Sequence, residues 1–143
     1  MTEEVLRAAD ELVAAFAEGR LDDYFAAFDP DATFVFHTTP ERIASTADYR
    51  ALWERWVAED GFRIVDCVSS GQVVQCFGDT AVFSHDVATT VSTTAGTESL
   101  SERETIVFRR AGQGRWLAVH EHLSPAHEHL SPAHEHLSPA AAA

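Results

Sequence analysis

Five β-type segments in the second half of the chain decide the fold: FRIVDC (Phe62–Cys67), QVVQCF (Gln72–Phe77), TAVFSHDVATTVSTT (Thr80–Thr94), LSERETIVFRR (Leu100–Arg110) and RWLAVHEHL (Arg115–Leu123). Each segment is rich in β-branched and aromatic residues, and short glycine-containing turns separate them, the first at Gly71. Pro125 ends the last segment because proline cannot donate a hydrogen bond to a strand ladder. Strands joined by such short turns pair antiparallel. From Phe62 onward, the sequence therefore predicts an antiparallel meander.

Three helices and one strand precede this meander. Apolar residues recur at helical spacing until Gly19 in the first helix, until Asp29-Pro30 in the second, and from the Ser45 capping signal to Gly61 in the third. The strand occupies residues 32–37, where aromatic and β-branched residues alternate. Helices first and strands afterward indicate an α+β fold, in which three N-terminal helices pack on a strongly curved antiparallel sheet. We expect a cavity between the helices and the sheet.

Size and charge exclude several classes of partner. The chain has 143 residues and a formal net charge of −13, from 23 acidic and 10 basic residues. Nucleic acids and anionic lipids would be repelled by this charge, so we expect neither nucleic acid nor membrane among the partners. No apolar run approaches the roughly 20 residues of a membrane helix and no signal peptide is visible, so we expect a cytoplasmic protein.

The C-terminal end repeats the motif HEHLSPA three times, beginning at His120, His127 and His134. Only the first copy continues an apolar, strand-like run, so we expect a folded domain over residues 1–125 and a flexible tail over residues 126–143. His120 and His122 share one strand face, but no nearby Cys or Asp completes a metal site. We therefore predict no metal site.

Several motifs in chain order resemble the NTF2-like superfamily, and in particular SnoaL-like proteins. The opening motif runs from Leu12 through Phe28-Asp29-Pro30-Asp31-Ala32-Thr33-Phe34, and the closing motif from Gly114 through Ser124. The closing motif, together with Gly78-Asp79-Thr80-Ala81, is also similar to the association (hub) domain of calmodulin-dependent kinase. The resemblance implies an NTF2-like cone, and it covers about residues 3–125. Because this superfamily hosts many functions, the resemblance alone assigns none.

Ketosteroid isomerases are the best understood enzymes of this fold, and the resemblance lets their catalytic groups be compared by position. Aligning Asp31-Ala32-Thr33 with the corresponding family motif places Phe36 where the general-base aspartate would be. The oxyanion-hole tyrosine is replaced by Leu12. Both groups are missing, so we do not expect the isomerase reaction itself.

Three other residues are the candidates for acid–base catalysis: His37, His85 and Glu121. His37 follows the first strand at the expected pocket rim, where it either acts as a base or bonds to the backbone while Phe36 faces inward. His85 lies in the long strand on the face of Phe83, either meeting a ligand or satisfied within the core. Glu121 or Glu104 could be a buried carboxyl with a raised pKa, although a cross-strand Arg–Glu pair is the commoner outcome.

Aromatic residues are the candidates for the pocket wall. The predicted ligand pocket comprises Phe16, Phe25, Phe36, Tyr49, Trp53, Trp56 and Phe83. Such residues either surround an apolar ligand or simply form the core.

Two functions from different classes remain open. The first is a SnoaL-like protein that binds a small apolar molecule and supports isomerisation, cyclisation, hydration or hydrolysis without a cofactor. The second is a non-catalytic association module similar to the kinase hub. Apolar residues on both faces of the last strand predict a homodimer or larger homo-oligomer in either case.

Overall fold

The computed structural model describes residues 1–126. Eight elements follow one another along these residues: α1 (Thr2–Glu18), α2 (Leu21–Ala26), β1 (Phe28–Phe36), α3 (Thr46–Asp60), β2 (Arg63–Phe77), β3 (Thr80–Thr93), β4 (Gly96–Gly112) and β5 (Arg115–Pro125). This order of helices and strands confirms the predicted α+β class. The expectation of a flexible tail over residues 126–143 lies, apart from Ala126, outside the described residues.

One five-stranded sheet has the spatial order β1-β5-β4-β3-β2. The four strands from β2 to β5 pair antiparallel with their neighbours, as the short turns predict. β1 joins the sheet parallel to β5. The predicted antiparallel sheet is thus confirmed except at this edge, where α3 and three strands separate β1 from β5 in sequence and no tight turn fixes their relative direction.

Two predicted boundaries are also wrong. β2 is one strand, because Gly71 adopts a positive φ of 61° inside a register shift between Ser70 and Val73, and pairing with β3 continues on both sides of it. β1 begins at Phe28 rather than at Ala32. Pro30 is tolerated there because β1 is an edge strand whose register is irregular at this point.

The hydrophobic core lies between the helices and the inner face of the sheet. α1 packs mainly on β2, and α3 packs on β1. The capping signal before α3 is confirmed, since the Ser45 hydroxyl accepts a hydrogen bond of 3.1 Å from the Asp48 backbone N–H. Within residues 1–126, no helix is both long enough and apolar enough to cross a bilayer.

Candidate functional site

The inner face of the sheet brings together three buried carboxyls. Side chains alternate along a strand, so His85 on β3 and its cross-strand partner Glu104 on β4 both point toward the helices. Glu102, two residues earlier on β4, shares this face and lies opposite Val87. Glu121 reaches the same face from β5.

A bulge in β5 is the reason that Glu121 points inward. Ala118 pairs with Phe108, but His120 pairs with Val107, so Val119 is the extra residue on this strand. Strict alternation would place Glu121 on the face opposite Ala118. The bulge instead turns both side chains toward the core, where each is 0% exposed.

His85 and Glu104 form the centre of the cluster. The Nε2 atom of His85 lies 2.5 Å from Glu104 Oε1, and its Nδ1 atom lies 2.5 Å from the Ser69 hydroxyl oxygen. Burial lowers the pKa of His85, although the nearby carboxyl of Glu121 opposes this effect. Burial raises the pKa of Glu104 to about 8. At neutral pH the His85 ring is therefore neutral, and Glu104 holds a proton for most of the time.

Glu121 is the least satisfied group of the cluster. Apart from their pairing with each other, neither carboxyl oxygen of Glu121 nor Glu104 Oε2 has a hydrogen-bond partner among the described residues. Burial raises the pKa of Glu121 well above its usual range, and the charge of Glu104 raises it further. A side-chain hydrogen bond between the two carboxyls also couples them, and it lowers the pKa of Glu104 while it raises that of Glu121. Such a pair holds a proton at neutral pH.

A second acid–histidine pair lies beside the first. His37 Nε2 is 2.5 Å from Glu102 Oε2, and the His37 side chain is 16% exposed, whereas Glu102 is 1% exposed. Burial raises the pKa of Glu102, and the hydrogen bond to His37 opposes this rise. Phe36, the neighbouring alternative, does face the core. Phe36 and His37 therefore both lie on the inner side of the sheet, and His37 is the more accessible of the two.

Two tyrosines from the helices contribute the remaining polar atoms. The hydroxyls of Tyr24 on α2 and Tyr49 on α3 are 2.9 Å apart. Both rings are fully buried, and burial together with the charge of Glu121 raises the pKa of each hydroxyl. The tyrosines therefore remain neutral and can act as hydrogen-bond donors.

The predicted aromatic wall divides into two groups. Phe83 stacks on His85 at 4.6 Å between ring centroids, and Phe36 packs on Tyr49 at 5.3 Å. These three aromatic residues adjoin the polar cluster. The other four residues of the predicted wall pack in edge-to-face and tilted contacts within the helix-side core, and they are Phe16, Phe25, Trp53 and Trp56.

Sequence reasoning did not single out Ser69, Glu102 or Tyr24. Glu102 had a usable signal, since it precedes Glu104 by two residues and shares its face. Tyr24 is a buried residue of α2, and the helical pattern gives no signal that its hydroxyl meets a polar partner. Ser69 lies in a stretch predicted to fall between two strands.

The described residues also form a groove of about 510 Å³, which lies away from this cluster. It runs between α1, α2 and the beginning of β5, and Leu12 and Trp116 are part of its floor. Charged residues of both signs line its rim: Glu4, Glu11, Asp23, Arg7, Arg20 and Arg115. None of the acid–base candidates contributes to it.

His120 and His122 lie on the outer face of the sheet. Their ring centroids are 6.1 Å apart, and His120 Nδ1 is 2.8 Å from the Thr33 hydroxyl oxygen. No cluster of three or more His, Cys, Asp or Glu side chains suited to a metal ion occurs within residues 1–126.

A family model described as a SnoaL-like domain matches residues 5–128. The chain belongs to the SnoaL-like domain family. This match confirms the resemblance found in the sequence motifs. None of the curated proteins compared matches this SnoaL-like chain.

Solved structures support the same fold. The SnoaL-like chain is similar to the CaMKII hub of S. rosetta, with 24% identity over 87% of this chain and 95% of that one and a TM-score of 0.68. An NTF2-like protein of unknown function in nutrient uptake from Rhodospirillum rubrum is 20% identical. The match covers 85% of this chain and 98% of that one, with a TM-score of 0.73. A protein from Catenulispora acidiphila, in complex with S-DNPA, is 15% identical. The match covers 85% of this chain and 90% of that one, with a TM-score of 0.69. These similarities establish the NTF2-like fold.

Proposed function

We propose that this SnoaL-like protein binds a small, largely apolar molecule beside the Glu104–Glu121 pair and acts on it by acid–base chemistry that needs no cofactor. The observation that carries the proposal is the state of Glu121. Its side chain is 0% exposed, and its carboxyl has no hydrogen-bond partner among the described residues except the carboxyl of Glu104.

A buried carboxyl whose partner is a second buried carboxyl is costly to the fold. Burying polar atoms without a hydrogen bond costs about 1–3 kcal/mol in proteins. A Leu at position 121 would avoid most of this cost, because the neighbouring residues Phe34 and Ile106 are apolar. Perturbed titratable groups of this kind concentrate at functional sites. A ligand whose polar atom meets Glu121 would give this carboxyl a hydrogen-bond partner other than Glu104.

The residues divide naturally into an acid and a base. Glu121, protonated at neutral pH, can donate a proton to a carbonyl, hydroxyl or leaving-group oxygen. His85, neutral and already bonded to Glu104, can accept or return one. His37 with Glu102 provides a second pair on the more accessible side. Isomerisation, cyclisation, hydration and hydrolysis all require this combination of proton donor and acceptor.

The surroundings favour an apolar ligand. Phe36, Tyr49 and Phe83 adjoin the polar cluster, and aromatic rings bury large apolar area with specific contact geometry. The Catenulispora acidiphila relative of this fold forms a complex with S-DNPA, which supports a small-molecule ligand for the fold. The negative charge of −13 disfavours an anionic one.

Ligand binding is tested by native mass spectrometry of the freshly purified full chain, together with titration of an uncharged hydrophobic dye. We expect a co-purified organic adduct or saturable dye binding. The Glu121→Leu variant should bind about tenfold more weakly, which corresponds to the loss of one hydrogen bond. The matched control is Glu41→Gln, at an exposed position, and it should bind like the parent protein. Equal binding by parent and Glu121→Leu would contradict the proposal.

A second candidate function is self-association without catalysis. The outer face of β2 exposes Val68 and Val73 at 53% each and Phe77 at 62%. The hub of S. rosetta shares the fold, and exposed apolar surface of this kind marks interaction sites. Light scattering coupled to gel filtration should then show a homodimer or larger assembly that Val73→Lys disrupts. A monomer at every concentration would argue against this candidate.

A further inference from the structure

A continuous chain of hydrogen bonds connects the buried carboxyls to the protein surface. The Gln72 side-chain amide donates to Asp10 Oδ1 at 3.1 Å and to the Ser69 hydroxyl oxygen at 3.0 Å. Ser69 in turn lies 2.5 Å from His85 Nδ1, and His85 Nε2 lies 2.5 Å from Glu104 Oε1. Asp10 and Gln72 are exposed and Ser69 is half-buried, whereas the His85 and Glu104 side chains are at most 2% exposed.

The irregularity in β2 creates this chain. Ser69 pairs with Val87 and is therefore a diagonal neighbour of His85 on the inner face. The register shift that follows Ser70 lets the Gln72 side chain turn back to Ser69, three residues earlier. Gly71 permits the shift, since its φ of 61° is one that only glycine adopts easily.

We propose that Ser69, His85 and Glu104 form a proton relay that connects the buried carboxyl pair with solvent at the edge of the sheet. This relay rests on the proposed function, because it would supply and remove the protons that acid–base chemistry at Glu121 consumes and releases. Gln72 is a positioning residue: its amide donates to the Ser69 oxygen and so leaves the hydroxyl proton free for His85 or water.

Each transfer through the relay moves one proton and changes the tautomer of the His85 ring, but it leaves the ring neutral. When Glu104 is ionised, His85 Nε2–H donates to its carboxylate, and Nδ1 accepts from the Ser69 hydroxyl. Inward transfer passes the Nε2 proton to Glu104 and the Ser69 proton to Nδ1, and hydronium or a buffer acid restores the Ser69 proton. The neutral ring is then protonated at Nδ1 instead of Nε2. The reverse sequence releases the proton from Glu104 to solvent.

Several ionisable groups surround the relay, one or more from each packed element. They are Asp10 of α1, Tyr24 of α2, Tyr49 of α3, Cys67 of β2, Asp86 of β3, Glu102 of β4 and Glu121 of β5. The carboxylates among them favour a charged ring at His85, but burial outweighs them and lowers its pKa. Because the ring stays neutral, it has one proton and one free lone pair, as a relay requires.

The test is ¹⁵N NMR of histidine side chains in the intact protein, with the His85 signals assigned by their loss in His85→Asn. We expect a neutral ring that is protonated at Nδ1 when Glu104 is protonated and at Nε2 when Glu104 is ionised. Because burial raises the pKa of Glu104 to about 8, the change of tautomer should fall near that pH. A ring protonated on both nitrogens from pH 6 to 9 would overturn the relay in favour of a static ion pair.

Exchange of the His85 ring proton with solvent gives the second measurement. Ser69→Ala should slow it by about 100-fold, the contribution typical of a positioned proton-transfer group. Ser69→Thr keeps a hydroxyl and should restore the rate, and Ser70→Ala, at the exposed neighbouring position, is the matched control. An unchanged rate in Ser69→Ala would overturn the relay.

Neither measurement needs a ligand. Failure of the relay and failure of ligand binding are therefore seen separately: the NMR results could hold in a protein that binds no dye, and dye binding could hold in a protein whose ring proton exchanges independently of Ser69.

Discussion

Replacing Glu104 with Gln should change how the stability of the protein depends on pH. Burial raises the pKa of the Glu104 carboxyl to about 8, compared with an ordinary value of 4.5. Between these two values the folded protein keeps the Glu104 proton, whereas the unfolded chain has lost it. Unfolding then releases a proton, so the free energy of unfolding falls as the pH rises. Gln has a similar shape and no proton to release.

The magnitude follows from the size of the interval. Each pH unit between the unfolded and folded pKa values lowers the free energy of unfolding by about 1.4 kcal/mol. Below pH 4.5 the carboxyl is protonated in both states, and above pH 8 it is ionised in both, so the effect is flat outside the interval. From pH 5 to pH 7 the loss due to Glu104 alone is about 2.5 kcal/mol. The free energy of unfolding of Glu104→Gln, measured relative to the parent protein, should therefore rise by about 2.5 kcal/mol from pH 5 to pH 7.

The assay is urea unfolding at pH 5, 6, 7 and 8, followed by the fluorescence of the buried tryptophans. The variant is compared with the parent at each pH, because subtraction removes the contribution of groups that both proteins share. Removing the Glu104 charge also lowers the pKa of Glu121 toward its ordinary value, which acts in the same direction. Glu41→Gln, at an exposed position, is the matched control. A parent-to-variant difference that stays constant from pH 5 to pH 8 would refute the reasoning.

Three further predictions concern the frame that holds the site. Trp53→Ala should destabilise the protein by about 3–5 kcal/mol in urea unfolding, because the ring is 3% exposed and its removal leaves a large cavity; Trp53→Phe should recover part of this loss. Ser45→Ala removes the acceptor for the Asp48 N–H at the start of α3 and should lower the thermal stability by about 1 kcal/mol, with Ser45→Asp as the conservative control. Gly71→Ala should lower the free energy of unfolding by about 1–2 kcal/mol, since the residue has a positive φ and an added Cβ would lie 3.0 Å from Asp86 Oδ2. An unchanged midpoint of unfolding would contradict the role of the β2 irregularity.

The class of fold could be predicted from the sequence because each level of pattern agrees with the next. The tryptophans of α3 lie on one helical face, and the strands of the meander are separated by glycine turns, so local periodicity already specifies which faces are buried. The parallel pairing of β1 with β5 could not be predicted in the same way. It joins residues about 90 positions apart, as in the Thr33 and His120 pair, and no local pattern encodes such a contact.

The site was predictable wherever alternation is strict. His85 was expected on the face of Phe83, and the structure places both in contact. The last strand differs, because the bulge at Val119 changes which residues share a face. From alternation alone, Glu121 would lie on the other face of the strand from Trp116. The sequence gives no signal for a bulge at a β-branched residue. The convergence of Glu121 with Glu104 therefore had to be seen in the structure.

The buried acids bear on the choice between the two candidate functions. An association module acts through its outer surface, so its interior is free to be wholly apolar and gains stability by being so. This protein instead holds Glu102, Glu104 and Glu121 in its interior, at no more than 3% exposure. These buried acids lower the free energy of unfolding, and the loss increases between pH 5 and pH 7. Selection for stability alone would remove such groups, because most apolar replacements at these positions would raise the free energy of unfolding. Their presence supports the proposed acid–base chemistry, and the two proposed functions are compatible, since they would use opposite faces of one sheet.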